Sequence, residues 1–195
     1  MNFPVKLSFK KIALAPQISV IDADGRLQLY VRQKLMKLRE AITVYADQGQ
    51  SQPLYQIKAD RIIDFSARYH FRDQNGRELG SVKRQGARSI WRAHYNIADE
   101  NGREMAEIHE ESVMTRVLDG FFGDLPIIGF LSGYLFNPTY LVTDRSGNLL
   151  MRIKKEPSLF ESSFVIYEET PLSNEDELQL LLGILMMTLL ERTRG

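Results

Sequence analysis

The sequence contains no cysteine among its 195 residues, and this absence removes several kinds of chemistry at once. Disulfides, thiol nucleophiles and thiolate metal sites are excluded, and a cysteine-free chain is typical of a reducing cytoplasm. The chain also has no excess of either charge, because 25 Lys and Arg residues balance 25 Asp and Glu residues. A dedicated nucleic-acid binder would be basic overall or in one block, so we expect no nucleic-acid partner.

The N-terminal part has no apolar run long enough for the core of a signal peptide, and we therefore expect a cytoplasmic protein. The signatures of common active sites are missing as well. His70, His94 and His109 show no metal-ligand spacing, and neither a Gly-rich phosphate loop nor a nucleophile elbow is present. We expect solvated histidines, no cofactor, no metal and no enzymatic activity.

One long apolar run is present, at residues 178–190, where ten of thirteen side chains are large and apolar. Ser173 and Asn174 can each cap a helix, and three acidic residues follow, where a helix N-terminus favours negative charge. The pattern predicts a helix over about residues 174–192 that is apolar on every side and therefore buried. Thirteen residues span about 20 Å, well short of the roughly 30 Å of a bilayer core, which favours burial in protein over burial in lipid.

A 26-residue repeat covers residues 35–60, 61–86 and 87–112. Each unit holds an alternating segment, a turn and a second alternating segment, and the clearest turns are 73–76 and 99–102. Related turns occur at 22–25 and 144–147, and a looser one begins at Asp47. Apolar residues alternate with polar ones, as in the set Phe65, Ala67, Tyr69 and Phe71, and again in the set Trp91, Ala93, Tyr95 and Ile97. This period of 2 predicts strands with one buried face and one solvent-exposed face.

The count of such segments gives eleven or twelve antiparallel strands. A closed barrel of eight tilted strands has a radius of about 8 Å and one of twelve about 12 Å, while a central helix needs about 10 Å. The prediction is therefore an α+β, mostly β protein in one domain, residues 1–195: a closed antiparallel barrel of about twelve strands around the buried C-terminal helix. We expect wall strands over about residues 5–112 and 140–170.

This arrangement resembles the tubby C-terminal-like fold, and the sequence looks most like the LURP-one-related family, whose relatives include the phospholipid scramblases. The likeness is carried by residues 30–38, the serial turns, residues 133–141 and the final helix, and it covers roughly Phe9 to Arg192. Tubby proteins bind phosphoinositide head groups through Lys and Arg on the barrel wall, so the resemblance implies lipid binding. It assigns no individual binding residue in this chain.

Residues 113–139 do not fit the repeat, because they combine four glycines and two prolines with many large apolar side chains. They are interpreted either as a plug over the barrel end or as a surface that contacts a membrane or a lipid tail. The cluster of basic residues within residues 83–92 could bind lipid phosphates. The candidate lipid contacts are Lys83, Arg84, Arg88, Arg92, Phe121, Phe122 and Phe130.

Two functions of different class follow from these patterns. The first is a non-catalytic module that binds phospholipid or a membrane surface, peripherally and in the cytoplasm. The second is a structural or protein-interaction module, a weak homo-oligomer, in which residues 113–139 form the plug or the dimer interface.

Overall fold

The computed structural model describes residues 1–10, 17–32, 41–61, 67–85, 94–111, 138–156 and 161–192. Within these ranges the chain forms twelve strands followed by one helix. The strands are β1 Val5–Lys10, β2 Gln17–Ile21, β3 Leu27–Arg32, β4 Ile42–Tyr45, β5 Pro53–Ala59, β6 Arg68–Asp73, β7 Glu78–Arg84, β8 His94–Ala98, β9 Glu104–Glu110, β10 Thr139–Asp144, β11 Leu149–Glu156 and β12 Glu161–Glu168. The helix is α1, Asn174–Arg192.

The strands form a closed antiparallel barrel in which each strand pairs with its neighbours in the chain. The barrel closes where β1 pairs with β12, with Val5 opposite Ile166. The predicted fold is therefore confirmed. The strand missing from the count of eleven is β1, which precedes the first repeat, and whose Val5, Leu7 and Phe9 all face the core. Thr139, assigned from sequence to the irregular segment, instead begins β10.

The alternation read from the sequence sorts the side chains into inward and outward sets. Ala67, Tyr69 and Phe71 are buried, as are Tyr95 and Ile97 one repeat later. The other three members of these predicted sets, Phe65, Trp91 and Ala93, lie outside the described residues. A wall with an apolar inner face and a polar outer face needs something apolar at its centre.

The central element is α1, as predicted. The Ser173 hydroxyl accepts a hydrogen bond from the Asp176 N–H at 3.1 Å and donates one to the Asp176 carboxylate at 2.7 Å, so Ser173 is the N-cap. The side chains from Leu180 to Leu182 and from Ile184 to Leu189 are all buried. Within the described ranges no helix is long and apolar enough to cross a membrane.

The helix lies closest to β7 and β8, and a glycine permits this approach. A Cβ atom at Gly183 would lie 2.5 Å from Ile97 Cδ1 on β8. The helix axis is therefore held off-centre, toward one side of the barrel.

Four turns share one pattern that explains their sequence. In each, the aspartate carboxylate accepts N–H groups two and four residues later, as Asp73 does from Asn75 and Arg77. The glycine in each turn has a positive φ of 77 to 85°. The two strands that each turn joins show a register shift close to the turn. These are hairpin turns with a bulge, and they confirm the turn role assigned to the aspartates.

Candidate functional site

The two ends of the barrel differ in their connections. The four Asp-Gly turns and the looser turn after β4 lie at one end, which we call the turn end, together with the start of α1. The connections of residues 11–16, 33–41, 60–67, 85–93, 111–138 and 157–160 all join strand ends at the opposite end, which we call the loop end. The last turn of α1 also lies there. The four longest connections between strands, residues 33–41, 60–67, 85–93 and 111–138, all leave from the loop end.

The two segments predicted to contact lipid both begin and end at strand ends of the loop end. Residues 85–93 connect β7 to β8 and residues 111–138 connect β9 to β10, and these four strands are consecutive in the wall. Five of the seven candidate residues lie outside the described ranges, namely Arg88, Arg92, Phe121, Phe122 and Phe130. The structure places only the strand ends that these segments connect.

The other two candidates, Lys83 and Arg84, lie on opposite faces of β7. Lys83 is half-buried on the outer face, whereas Arg84 points into the barrel and is only 6% exposed. Consecutive residues of a strand alternate in this way. A surface patch that contains both side chains does not form.

Arg84 instead belongs to a polar cluster at the end of the helix. Its guanidinium forms an ion pair with Glu191 at 3.4 Å and lies 5.7 Å from the centre of the Tyr95 ring. The Tyr95 hydroxyl donates a hydrogen bond to the same carboxylate. Burial, and then the charge of Glu191, raise the pKa of Tyr95, which keeps the hydroxyl protonated as a donor. Since Glu191 sits at the negative end of the helix dipole, these two partners offset an unfavourable placement and fix the helix end to the wall.

A pair of cations on the outer face was not found from the sequence. The strand register places Arg68 of β6 directly opposite Lys83 of β7. The turn at 73–76 could have revealed this pair. If one residue is allowed for the bulge beside the turn, counting outward from the turn along both strands gives the residues that lie opposite each other. Arg68 Nη1 donates a hydrogen bond to Ser81 Oγ at 3.0 Å, which is a neutral partner.

A groove of about 430 Å³ starts at Arg68 and runs along the outer face of β6 and β7 toward the turn after β8. The carboxylates that line this groove already have hydrogen-bond partners. Glu78 accepts from Arg72 at 3.0 Å and lies 2.6 Å from His70 Nδ1. Asp99 accepts two backbone N–H groups of its own turn, and Glu100 contacts Asn101 and Gln179. Among the residues that the structure describes, Arg68 lines this groove without an ion pair to a carboxylate.

The histidines lie on the outer face as expected, but two of them are paired. His94 and His109 are opposite each other on β8 and β9, with ring centroids 6.1 Å apart and planes at 29°. His94 Nε2 also lies 3.0 Å from Glu107 Oε2. Burial, reinforced by the charge of His94, lowers the pKa of His109. In the part of the chain that the structure describes, no three His, Asp or Glu side chains are grouped so as to hold a metal ion.

Comparison with known proteins gives one family and one distant structural likeness. The family model described as LURP-one-related matches residues 27–130, just over half of the chain. An X-ray structure of a protein from Arabidopsis thaliana aligns over 94% of this chain and 90% of that chain, with a TM-score of 0.48 and 14% sequence identity. No curated protein matches the sequence.

Proposed function

This chain belongs to the LURP-one-related family, and we propose that it acts as a non-catalytic barrel that binds an anionic lipid surface through its loop end. The proposal makes the whole chain one module that works in the cytoplasm, peripheral to a membrane. Because a fold does not determine a function, features of this chain support the proposal.

The observation that carries the proposal is the position of the two connections at the loop end. The four strand ends that residues 85–93 and 111–138 connect follow one another in the wall, in the order β7, β8, β9 and β10. The first supplies cations in the sequence, Arg88 and Arg92, and the second supplies most of the apolar residues that fit no strand or turn. Lys83 lies on the outer face, one residue before the end of β7.

This composition suits reversible attachment to an anionic surface. Each cation near anionic lipid contributes about 1 kcal/mol. Each large apolar side chain that inserts at the acyl boundary adds roughly 1.5–3 kcal/mol. A few of each give measurable binding that weakens with salt, because surface charges are screened.

Vesicle co-sedimentation tests the proposal with two charge reversals of equal size. Lys83→Glu changes the loop end, and Arg103→Glu makes the same change in the exposed turn at the opposite end. We expect binding to vesicles that contain phosphatidylserine at low salt. Lys83→Glu should weaken it about tenfold or more, and Arg103→Glu less than twofold, because only the loop end faces the lipid.

The apolar part is tested by changing Phe121, Phe122 and Phe130 to Ser. Loss of vesicle binding at an unchanged melting temperature supports the proposal. No vesicle binding by the wild-type protein, or equal losses in the two charge reversals, contradicts it. If the Ser variant instead loses much of its stability and the wild-type protein forms a concentration-dependent dimer, residues 113–139 act as plug or interface.

A further inference from the structure

We propose that the groove on the outer face of β6 and β7 binds a small zwitterion, with its carboxylate at Arg68 and its ammonium group at Asp99 and Glu100. A ligand of this class carries the two charges several ångströms apart, as an ω-amino acid or a short peptide does. The inference goes beyond the lipid surface proposed above, and none of these three residues is a candidate lipid contact.

The groove carries unpaired charge of opposite sign at its two ends. Arg68 lies at one end, and Asp99 and Glu100 lie at the other, beside the turn after β8. The groove between them is internally balanced, because the carboxylate of Glu78 accepts a hydrogen bond from Arg72 at 3.0 Å. The charges that remain for a ligand are therefore those at the ends.

The cationic end suits a carboxylate. Arg68 donates to Ser81 Oγ at 3.0 Å, and among the described residues it forms no ion pair with an acid. Ser81 is only 3% exposed, so its hydroxyl is a fixed acceptor that orients the guanidinium. The planar fork of N–H donors that remains matches the two oxygens of a carboxylate.

The acidic end suits an ammonium group. One carboxylate oxygen of Asp99 accepts the backbone N–H groups of Asn101 and Arg103 at 2.9 and 2.8 Å, and within the described ranges the other accepts no hydrogen bond. Glu100 contacts only the side-chain amides of Asn101 at 2.6 Å and Gln179 at 3.4 Å. All these donors are neutral, and an ammonium group would supply both the positive charge and three N–H donors.

The strand register keeps the two ends apart. Ser81 on β7 pairs with Ala98 on β8, and Asp99 follows Ala98. With strands about 4.8 Å apart and consecutive Cα atoms about 3.8 Å apart, the guanidinium held at Ser81 and the Asp99 carboxylate lie about 5–10 Å from each other. No direct ion pair spans them in the structure. A ligand that carries both charges fits the gap, and a groove of about 430 Å³ has the volume of a small-ligand site.

A titration of the full chain by NMR tests the charge requirement. The probes are 4-aminobutyrate and 6-aminohexanoate, which place the two charges at different separations, and butyrate and butylamine, which each keep one charge. All are compared at the same ionic strength. We expect at least one of the two amino acids to bind, and the singly charged probes to bind about tenfold more weakly, the value of one charge-assisted hydrogen bond.

Two variants remove one charge each from the groove. Arg68→Gln removes the cation, and Asp99→Asn removes an anion while its amide oxygen can still accept the N–H groups of the turn. Asp73→Asn is the matched control for the second, because Asp73 makes the same turn contacts at 2.8 and 2.9 Å but does not line the groove. We expect about a tenfold loss of amino-acid binding in the first two variants and less than a twofold loss in Asp73→Asn.

A cycle between ligand and protein separates recognition from misfolding. Loss of the ligand carboxylate should cost little further affinity in Arg68→Gln, and loss of the ligand ammonium group should cost little in Asp99→Asn. Glu100→Gln, in the same exposed turn, replaces Asp99→Asn if that variant does not fold. The inference is overturned if neither amino acid binds, if butyrate or butylamine binds as tightly, or if Asp73→Asn loses as much affinity as Asp99→Asn.

Discussion

At the scale of single residues, the alternation of a strand decides what each side chain can do. Lys83 and Arg84 are adjacent in a basic stretch of sequence, yet one contributes to the outer surface and the other secures α1 from within. The sequence already contained this result. Val82 points inward, and Arg84, two residues later on β7, continues the same inward series.

The stacked histidines predict how stability depends on pH. The pKa of His109 is lowered below its ordinary value of 6.5, so the unfolded chain binds a proton there more readily than the folded chain. The contribution is fully present above pH 6.5 and is lost as the pH falls toward the folded pKa. Urea unfolding at pH 7.5 and pH 5.5 should therefore show a loss of stability on acidification that is smaller in His109→Asn.

His94→Asn is the companion variant for that measurement. Burial is the main cause of the shift and the charge of His94 is the second, so this change should reduce the pH dependence only in part. An identical pH dependence in wild type, His109→Asn and His94→Asn would show that the pair does not determine the acid response.

At the scale of elements, the contact between α1 and β8 depends on Gly183. Gly183→Ala adds a methyl group 2.5 Å from Ile97 Cδ1 and 3.0 Å from its Cγ1. We expect a loss of about 1–3 kcal/mol from overpacking, although alanine alone would favour the helix by about 1 kcal/mol. Ile97→Val removes Cδ1, so Gly183→Ala should cost less in that background. A double-mutant cycle by urea unfolding measures the coupling, and strictly additive effects would contradict the close contact.

A second prediction at this scale concerns the hairpin turns. Gln50 has a φ of +60° at the position that glycine occupies in the other four turns. A residue with a side chain therefore adopts the left-handed conformation there. Gln50→Gly should stabilise the barrel by a few tenths of a kcal/mol, because the relief of the left-handed strain of about 1 kcal/mol exceeds the added freedom of the unfolded chain.

The opposite substitution in an equivalent slot is the control for this prediction. A Cβ at Gly76 meets no atom within 4 Å, so Gly76→Ala tests backbone strain alone and should cost about 1 kcal/mol. Urea midpoints of the two variants should move in opposite directions. A shift of the same sign would show that the turns tolerate either residue for reasons other than φ.

At the scale of the whole molecule, the architecture was predictable because its signals are local. The Asp-Gly turns, the period of 2 and the all-round apolarity of residues 178–190 each specify one element, and the barrel radius then fixes how the helix fits. The pairs Arg68–Lys83 and His94–His109 were not found because they depend on register across a bulge. For the candidate lipid site, strand alternation places Arg84 inside the barrel, whereas the other candidate residues in residues 86–93 and 113–138 lie outside the described ranges.

The order of the elements has a consequence for the synthesis of the protein. All twelve wall strands precede α1, so the ribosome delivers the wall before the element that fills it. At about 5–20 residues per second, the 19 residues of α1 take about one to four seconds more. During that interval neighbouring hairpins form, because their contacts are local, while their inward side chains have no helix to pack against. The nascent chain therefore passes through a stage with a large exposed apolar surface, at which it is most vulnerable to aggregation and most suited to protection by chaperones.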